Sequence, residues 1–363
     1  MQVGVVGGGI TGLLTAHLLQ LRGHQVFVFE RHAGIPLHDY GICLSPAAQL
    51  TCLRAGLLDL TQSLLEVGIG QTESLTVIDQ VRSGSGKIAS PHLLSPLFIR
   101  HQAFVDLLQA ALDPGTLFFG AAVEGLRQNE QCVELDLSGG QCWQGDLLIG
   151  ADGIRSTVLE LLGVSRHPTF LGHRFWRGLA DDASLIADGV LHRYFRGIML
   201  RLTAFDVGSD HFGRQQTRRC LFARASTEPA CIEAPAGLDS VSIPDAALEG
   251  LPDSIIDLIQ TTEPSRIATG MVMDAEPLNR LVHARVALLG DAAHPMAPTQ
   301  ARGVCSGFAD ALVLADCLEL GSADLSDALE SYQQQRLQIV RQEQRLSRQE
   351  YGFPAVAQRR GIF

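Results

Sequence analysis

Met1-Gln2-Val3-Gly4-Val5-Val6-Gly7-Gly8-Gly9-Ile10-Thr11-Gly12 opens the chain, and Gln25-Val26-Phe27-Val28-Phe29-Glu30 follows it. The apolar run from Met1 to Val6 is long enough for one buried strand. Gly7, Gly9 and Gly12 then stand at G-x-G-x-x-G spacing. Gly7 permits a tight turn, Gly9 lets a phosphate approach the backbone, and Gly12 lets the next helix pack close to the strand. From Ile10 to Leu21 the apolar residues Leu13, Leu14, Ala16, Leu18 and Leu21 recur at helical spacing, with Gly23 just past the helix end. The free N–H groups at that helix start would receive a pyrophosphate. Gln25 to Phe29 reads as a second strand that delivers Glu30. A carboxylate there can accept ribose hydroxyls and would repel a 2′-phosphate, so the nucleotide expected is FAD or NAD rather than NADP. Arg31, beside it, is a further candidate contact.

About 280 residues later stands Val286-Ala287-Leu288-Leu289-Gly290-Asp291-Ala292-Ala293-His294-Pro295. Arg285 to Leu289 reads as a buried strand. An aspartate at its carboxyl end is well placed to bind a polyol such as a ribityl chain. Midway lies Asp146-Leu147-Leu148-Ile149-Gly150, running into Ala151-Asp152-Gly153-Ile154-Arg155-Ser156, a strand that ends in an Asp-Gly turn.

Together these three motifs resemble the single-component FAD-dependent aromatic hydroxylases of the para-hydroxybenzoate and salicylate hydroxylase type. Smaller matches fill the intervals: Gly41-Ile42-Cys43-Leu44-Ser45-Pro46-Ala47, Ile99-Arg100 with Phe104 to Leu108, and the tail from Tyr332 to Arg345 with Arg336. The resemblance is firm over 1–60, 98–160 and 280–345 and thin between 165 and 265. It implies FAD contacts at Gly7, Gly9, Ile10, Thr11, Gly12, Glu30, Arg31, Arg100, Asp152, Gly290, Asp291, Pro298, Arg302, Gly303, Val304 and Cys305. In the family, Gly-Asp and the Ala-Ala-His-Pro after it bind the ribityl chain, and the following loop lies along the flavin ring. The implied chemistry is reduction of FAD by NADH or NADPH, addition of O₂ to give a flavin C4a-hydroperoxide, and hydroxylation or epoxidation of an aromatic or polycyclic small molecule. Pro298, Gln300, His211 and Tyr194 are the candidate catalytic or substrate-orienting residues, with His192 beside them. Arg302, facing the flavin, would stabilise the anionic reduced ring. The chain departs from the pattern at Leu159, where the family has an arginine, at Gln300, where it has a glycine, and at Cys305, where it has an asparagine.

The expected fold is α/β. A Rossmann-like FAD-binding domain (1–70, 98–168 and 266–320) is interleaved with a smaller sheet-based substrate domain (71–97 and 169–265), and 321–363 forms a C-terminal helical segment. Extended runs from Ser74 to Val81 and Lys87 to Ser90 suggest a hairpin. Val190–Phe195, Ile198–Thr203 and Arg219–Ala225 suggest strands. Pro252 to Thr261 suggests a helix capped by Asp253 or Ser254.

At 363 residues, 46% hydrophobic and 18% charged, the chain is globular rather than disordered. A net charge of −11 with scattered basic residues argues against nucleic acid. The absence of a membrane-length apolar run, and of a leader before the first strand, points to a cytoplasmic protein with no stable membrane association. The eight cysteines form no C-x-x-C and no Cys/His ligand spacing, so most are expected to be reduced core residues. No metal is expected, and His294, with no second ligand at i+3 or i+4, is expected to position its loop. The resemblance allows a homodimer. Besides monooxygenation, two functions stay open: a flavin oxidoreductase that inserts no oxygen, and a catalytically silent flavin-fold partner in a biosynthetic complex.

Overall fold

The computed structural model describes residues 1–34, 40–67, 69–70, 72–77, 87–88, 97–180, 190–196, 199–207, 219–226, 243, 245–297, 302–319 and 324–349. The first motif folds as its pattern dictates: β1 (Gln2–Val6), α1 (Ile10–Leu21) and β2 (Gln25–Glu30) form a βαβ unit with parallel strands. Four successive residues of β1, Val3 to Val6, are buried, as a strand covered on both faces requires. Leu13, Leu14, Leu18 and Leu19 of α1 are buried, each stabilising the fold by about 1.5–3 kcal/mol. The helix stops at Arg22, with Gly23 in the left-handed conformation (φ +80°).

Around this unit grows a six-stranded sheet in the order β18 (Val282–His283), β19 (Val286–Leu288), β12 (Leu147–Gly150), β1, β2, β8 (Leu117–Phe119). All pairings are parallel except β18–β19. The strands that end in the three motifs are therefore neighbours, and their carboxyl ends share one edge. A small sheet of β3 (Gly41–Leu44), β7 (Leu97–Arg100) and β4 (Ile69–Gly70) stands beside α2 (Pro46–Arg54), α3 (Leu58–Val67) and α4 (His101–Ala110). A meander of β9 (Val123–Gln128), β10 (Val133–Leu137) and β11 (Gln141–Gly145) completes this half.

A second, seven-stranded sheet runs β17 (Ile267–Ala275), β13 (Pro168–Ala180), β16 (Arg219–Ser226), β15 (Met199–Asp206), β14 (Val190–Arg196), β5 (Thr72–Val77), β6 (Lys87–Ile88). Of the expected hairpin, β5 and β6 pair antiparallel at Glu73–Ile88 and Ser74–Lys87, while 78–81 and 89–90 lie outside the described residues. One face of this sheet carries Ala180, Tyr194, Leu202 and Ala204 against α6 (Asp245–Leu248) and α7 (Asp253–Thr261). The other carries Leu179 and Phe205, packed with Val207 against Phe98 of β7 and Tyr40 and Cys43 at β3. The cap expected at Asp253 or Ser254 lies one residue earlier: Pro252 occupies it, with no side-chain hydrogen bond, and Asp253 is the first helical residue. Helix α5 (Thr157–Leu161) leads from β12 to β13, α8 (Arg302–Cys317) packs on α1 and α2, and the 25-residue α9 (Leu325–Gln349) reaches β17 of the second sheet through Gln344 to Ala275 O and Arg348 to Asp274. None of the helices among the described residues is long and apolar enough to cross a membrane.

Candidate functional site

Thr11 is the joint between motifs far apart in sequence. A Cβ on Gly290 would lie 2.9 Å from its Oγ1, and one on Gly307 of α8 would lie 2.4 Å away. Gly7 makes the second joint. It adopts φ +113°, donates its N–H to Phe29 O (2.9 Å), and a Cβ there would meet Ala151 O at 2.4 Å. Gly12 packs so tightly that a Cβ would stand 2.0 Å from Gly7 O, whereas a Cβ on Gly9 would meet nothing within 4 Å. The helix start capped by Gly9 has no side-chain acceptor, so its N–H groups face open space and suit a phosphate.

At the end of β2, Glu30 Oε2 accepts the Gly8 N–H (2.8 Å), and Oε1 accepts the His32 N–H (3.0 Å) and lies 2.6 Å from His32 Nδ1. Burial pushes its carboxyl up, but the bonds from His32 and Gly8 outweigh it and hold the pKa below the ordinary range. Glu30 is thus an ionised acceptor with lone pairs to spare. Arg31 is exposed beside it.

Asp152 turns toward its own chain. Its Oδ1 accepts Ser156 Oγ (2.6 Å) and Oδ2 accepts the Val158 N–H (3.0 Å), while Ser156 caps α5. Burial raises its carboxyl above the usual range. It fixes the helix start, and Gly153 after it is open (φ +82°).

Asp291 is exposed yet encircled by protein, as a side chain lining a deep cleft must be. That crowding raises its carboxyl above the ordinary range against the pull of His294 and Arg166. The turn that carries it is gripped from every side. The buried Asp310 of α8 accepts the Gly290 N–H (3.0 Å), His294 Nε2 (2.5 Å) and Arg336 Nε (2.7 Å). Burial alone would raise Asp310, but His294 and Arg336 hold it below the carboxylate range. Tyr332 donates its hydroxyl to Leu288 O (2.9 Å), Gln344 to Pro295 O (3.1 Å) and Ser347 to Ala297 O (3.1 Å). From outside, Arg166 donates to Ala292 O and Ala293 O, both at 2.7 Å. Burial brings its guanidinium down to about 10, tempered by Asp291 and Asp152. His294 therefore positions its loop, and among the described residues no cluster could hold a metal ion.

Gly303, Val304 and Cys305 form the first turn of α8 after Arg302, with Gly303 facing Asp291: a Cβ there would lie 3.8 Å from Oδ1. Cys305 Sγ lies 3.0 Å from Ser45 Oγ. Arg100 caps α4 at the β3–β7 edge. Pro298, Gln300 and His211 lie outside the described residues. Tyr194 does not reach this cleft. It lies on the α7 face of the second sheet, packed with Leu202 and Ile255, and His192 stacks on it at 6.4 Å. The six described free cysteines also differ from expectation. Cys52 alone among them is buried, its thiol pushed up to about 12 by that burial, while Cys43, Cys132, Cys305 and Cys317 are half-buried and Cys142 is exposed. Asp310 and Arg166 were absent from the sequence reading. An acid inside the apolar stretch Phe308-Ala309-Asp310-Ala311 was the available signal for Asp310, whereas nothing local marks Arg166.

The FAD binding domain family matches residues 1–175 and 243–347. Over 344 residues the chain is 31% identical to an aurachin C monooxygenase/isomerase of Stigmatella aurantiaca, covering 92% of this chain and 84% of that one. It is 26% identical to a chloroplastic zeaxanthin epoxidase of an Oncidium hybrid cultivar, over 92% of this chain and 52% of the relative. The chain thus spans about half the length of the zeaxanthin epoxidases it matches. In fold it is similar to Klebsiella pneumoniae HpxO, crystallised with FAD and uric acid. The TM-score is 0.83 at 23% identity, covering 98% of this chain and 89% of that one. The cleft, built where the glycine turn, the Asp-Gly turn and the Gly-Asp turn meet, is that of a dinucleotide flavoprotein, and the chain belongs to the FAD-dependent monooxygenases, the family of the single-component aromatic hydroxylases.

Proposed function

We propose that the protein uses NADH or NADPH and O₂ to insert one oxygen atom into an aromatic or polycyclic small molecule. Residues 1–70, 98–168 and 266–320 would hold FAD, and 71–97 with 169–265 would back the substrate. The observation that carries this reading is the convergence on one sheet edge of three turns: Gly7–Gly12, Asp152–Gly153 and Gly290–Asp291. When bound, FAD would supply the redox chemistry, taking two electrons from the nicotinamide and activating O₂, one atom of which would go to the substrate and the other to water. The protein holds and orients. Gly9, Ile10, Thr11 and Gly12 present the helix N–H groups to the pyrophosphate. Glu30, with Arg31 beside it, takes the adenosine ribose, and Arg100, at the start of α4, is proposed to reach FAD phosphate or ribose. Asp291 takes the ribityl hydroxyls, and the first turn of α8, Arg302 to Cys305, offers N–H groups to the flavin ring. Asp152 acts through the α5 start that it braces. Pro298 and Gln300 are proposed to face the substrate. The test is anaerobic mixing of the yellow protein with NADH or NADPH, with and without phenols and fused-ring aromatics. Faster flavin reduction with one compound class supports the reading, and a flavin that neither nucleotide reduces contradicts it.

Two variants follow. Arg166→Ala removes two charge-assisted bonds from the turn behind Asp291. FAD affinity is expected to fall about ten-fold, measured by quenching of flavin fluorescence, while the thermal midpoint of the apoprotein changes by a few degrees. Tyr194→Phe is expected to leave turnover within about two-fold of wild type, because the ring lies on the α7 face. A hundred-fold loss would return Tyr194 to the active site.

A further inference from the structure

Helix α9 grips the flavin half along its middle and the second sheet at its end. In the middle, Arg336 donates to Asp310 of α8 and Tyr332 to Leu288 O. Two turns later the side chains reach the other way. Arg348 pairs through Nε and Nη2 with both oxygens of Asp274 on β17 (Nη2 at 2.9 Å), and through Nη1 with Glu276 (3.0 Å). Gln344 Nε2 donates both to Ala275 O of β17 (3.3 Å) and to Pro295 O (3.1 Å). Ser347 donates to Ala297 O (3.1 Å). Arg348, Asp274, Gln344 and Ser347 are all buried. Pro295 to Ala297 leads from the Gly-Asp turn toward the first turn of α8. Its other side rests on the second sheet, where Ala297 packs with Leu171, Phe175 and Val272. Residues 295–297 are thus clamped between the sheet that would back the substrate and the helix end bolted to that same sheet.

Stability alone is a poor account of this bolt. A buried ion pair loses most of its attraction to the desolvation of both charges, and the Asp310–Arg336 pair already holds α9 down further back. What a two-bond guanidinium–carboxylate pair adds is geometry, because parallel bonds fix angle as well as distance. Here they fix the helix end to β17, and Gln344, one turn back, passes that position to the Pro295 carbonyl. We infer that Arg348 is a positioning residue for the flavin: through Asp274, Gln344 and Ser347 it ties residues 295–297 to the second sheet, and so sets where the flavin ring stands relative to the substrate face. The inference rests on the reading above, in which the first turn of α8 lies along the ring, and deepens it by naming what fixes the ring against the substrate sheet.

The experiment measures quenching of flavin fluorescence by iodide in the FAD-loaded protein. Arg348→Met is combined with Asp274→Leu, so that both charges leave together and neither is stranded in the interior. The paired variant is expected to carry as much FAD per chain as wild type and to melt close to it, while its quenching constant rises about three-fold or more as the ring loosens. Arg348→Lys, which keeps the charge but not the fork, is expected to fall between the two. A purely structural role would move the melting temperature and leave quenching where it is in wild type, and that result overturns the inference. If the paired variant does not fold, Ser347→Ala decides, since it removes a single neutral bond to Ala297 O: a smaller rise in quenching supports the inference and no rise overturns it. Wild-type protein that takes up no FAD, read beforehand from its visible absorbance, overturns the monooxygenase reading and this inference with it. FAD-loaded protein whose flavin is no more open to iodide in the variants overturns the inference alone.

Discussion

Gly12→Ala protein is expected to purify colourless. The added Cβ would stand 2.0 Å from the Gly7 carbonyl oxygen, a backbone atom that cannot swing aside. Helix α1 must therefore move off β1, at a packing cost of about 1–3 kcal/mol. The same movement withdraws the helix N–H groups from the pyrophosphate. Losing two charge-assisted hydrogen bonds, at about 1.5–3 kcal/mol each, weakens FAD by more than about a hundred-fold. Gly9→Ala separates the two effects. Its Cβ meets nothing in the protein within 4 Å, so the apoprotein should melt as wild type does. A phosphate lying over Gly9 would collide with it, so FAD binding should still weaken. Flavin content per chain and the melting temperature of each apoprotein are the readouts. Stoichiometric FAD in Gly12→Ala would show that the glycine turn is not the nucleotide site.

Asp310→Ala is expected to be the most destabilising single change in the network behind Asp291. It leaves His294, Arg336 and the Gly290 N–H without their shared acceptor, all of them buried. Breaking a buried ion pair from one side costs about 3–5 kcal/mol, a large share of a typical domain's 5–15 kcal/mol. Urea unfolding of the apoprotein measures it, and a loss below about 1 kcal/mol would contradict the account. The pH dependence has a definite sign. Asp310 is held below the ordinary carboxylate range, so its contribution is full above the unfolded value near 4. It is lost as pH falls from there through the lower folded value. The gap between wild type and Asp310→Ala should therefore be constant near neutrality and narrow only in acid.

The cleft was legible in the sequence because its parts are local. A glycine turn, a strand and a terminal acid are all written within thirty residues, and α1 runs from Ile10 to Leu21 as its apolar spacing requires. The strands of the second sheet were also legible as extended runs, but their phase was not. Alternation fixes which residues share a face without fixing which face is covered, and a one-residue shift reverses it. Tyr194 therefore read as a pocket residue although it packs on α7, while Phe205 and Arg177, on the other face, went unmarked. Asp310 and Arg166 act on the 290–294 turn from positions 16 and 127 residues away in their contacts with His294 and Ala293. Partners so chosen are set by tertiary packing and leave little local pattern. At Leu159 the family has a positive charge that this chain lacks, and the Arg166 guanidinium, bonded to Ala292 O and Ala293 O, feels the charges of both Asp291 and Asp152.

The central claim is oxygen insertion by a bound flavin. The most direct test supplies the FAD-loaded protein with NADH or NADPH, isotopically labelled O₂ and a panel of phenols and naphthoic acids, and analyses the products by mass spectrometry. The account predicts one labelled oxygen atom in the product of one compound class, formed in about equal amount to the nicotinamide consumed. Nicotinamide oxidation that returns all of the O₂ as peroxide with every compound, or a chain that binds no FAD, would contradict it.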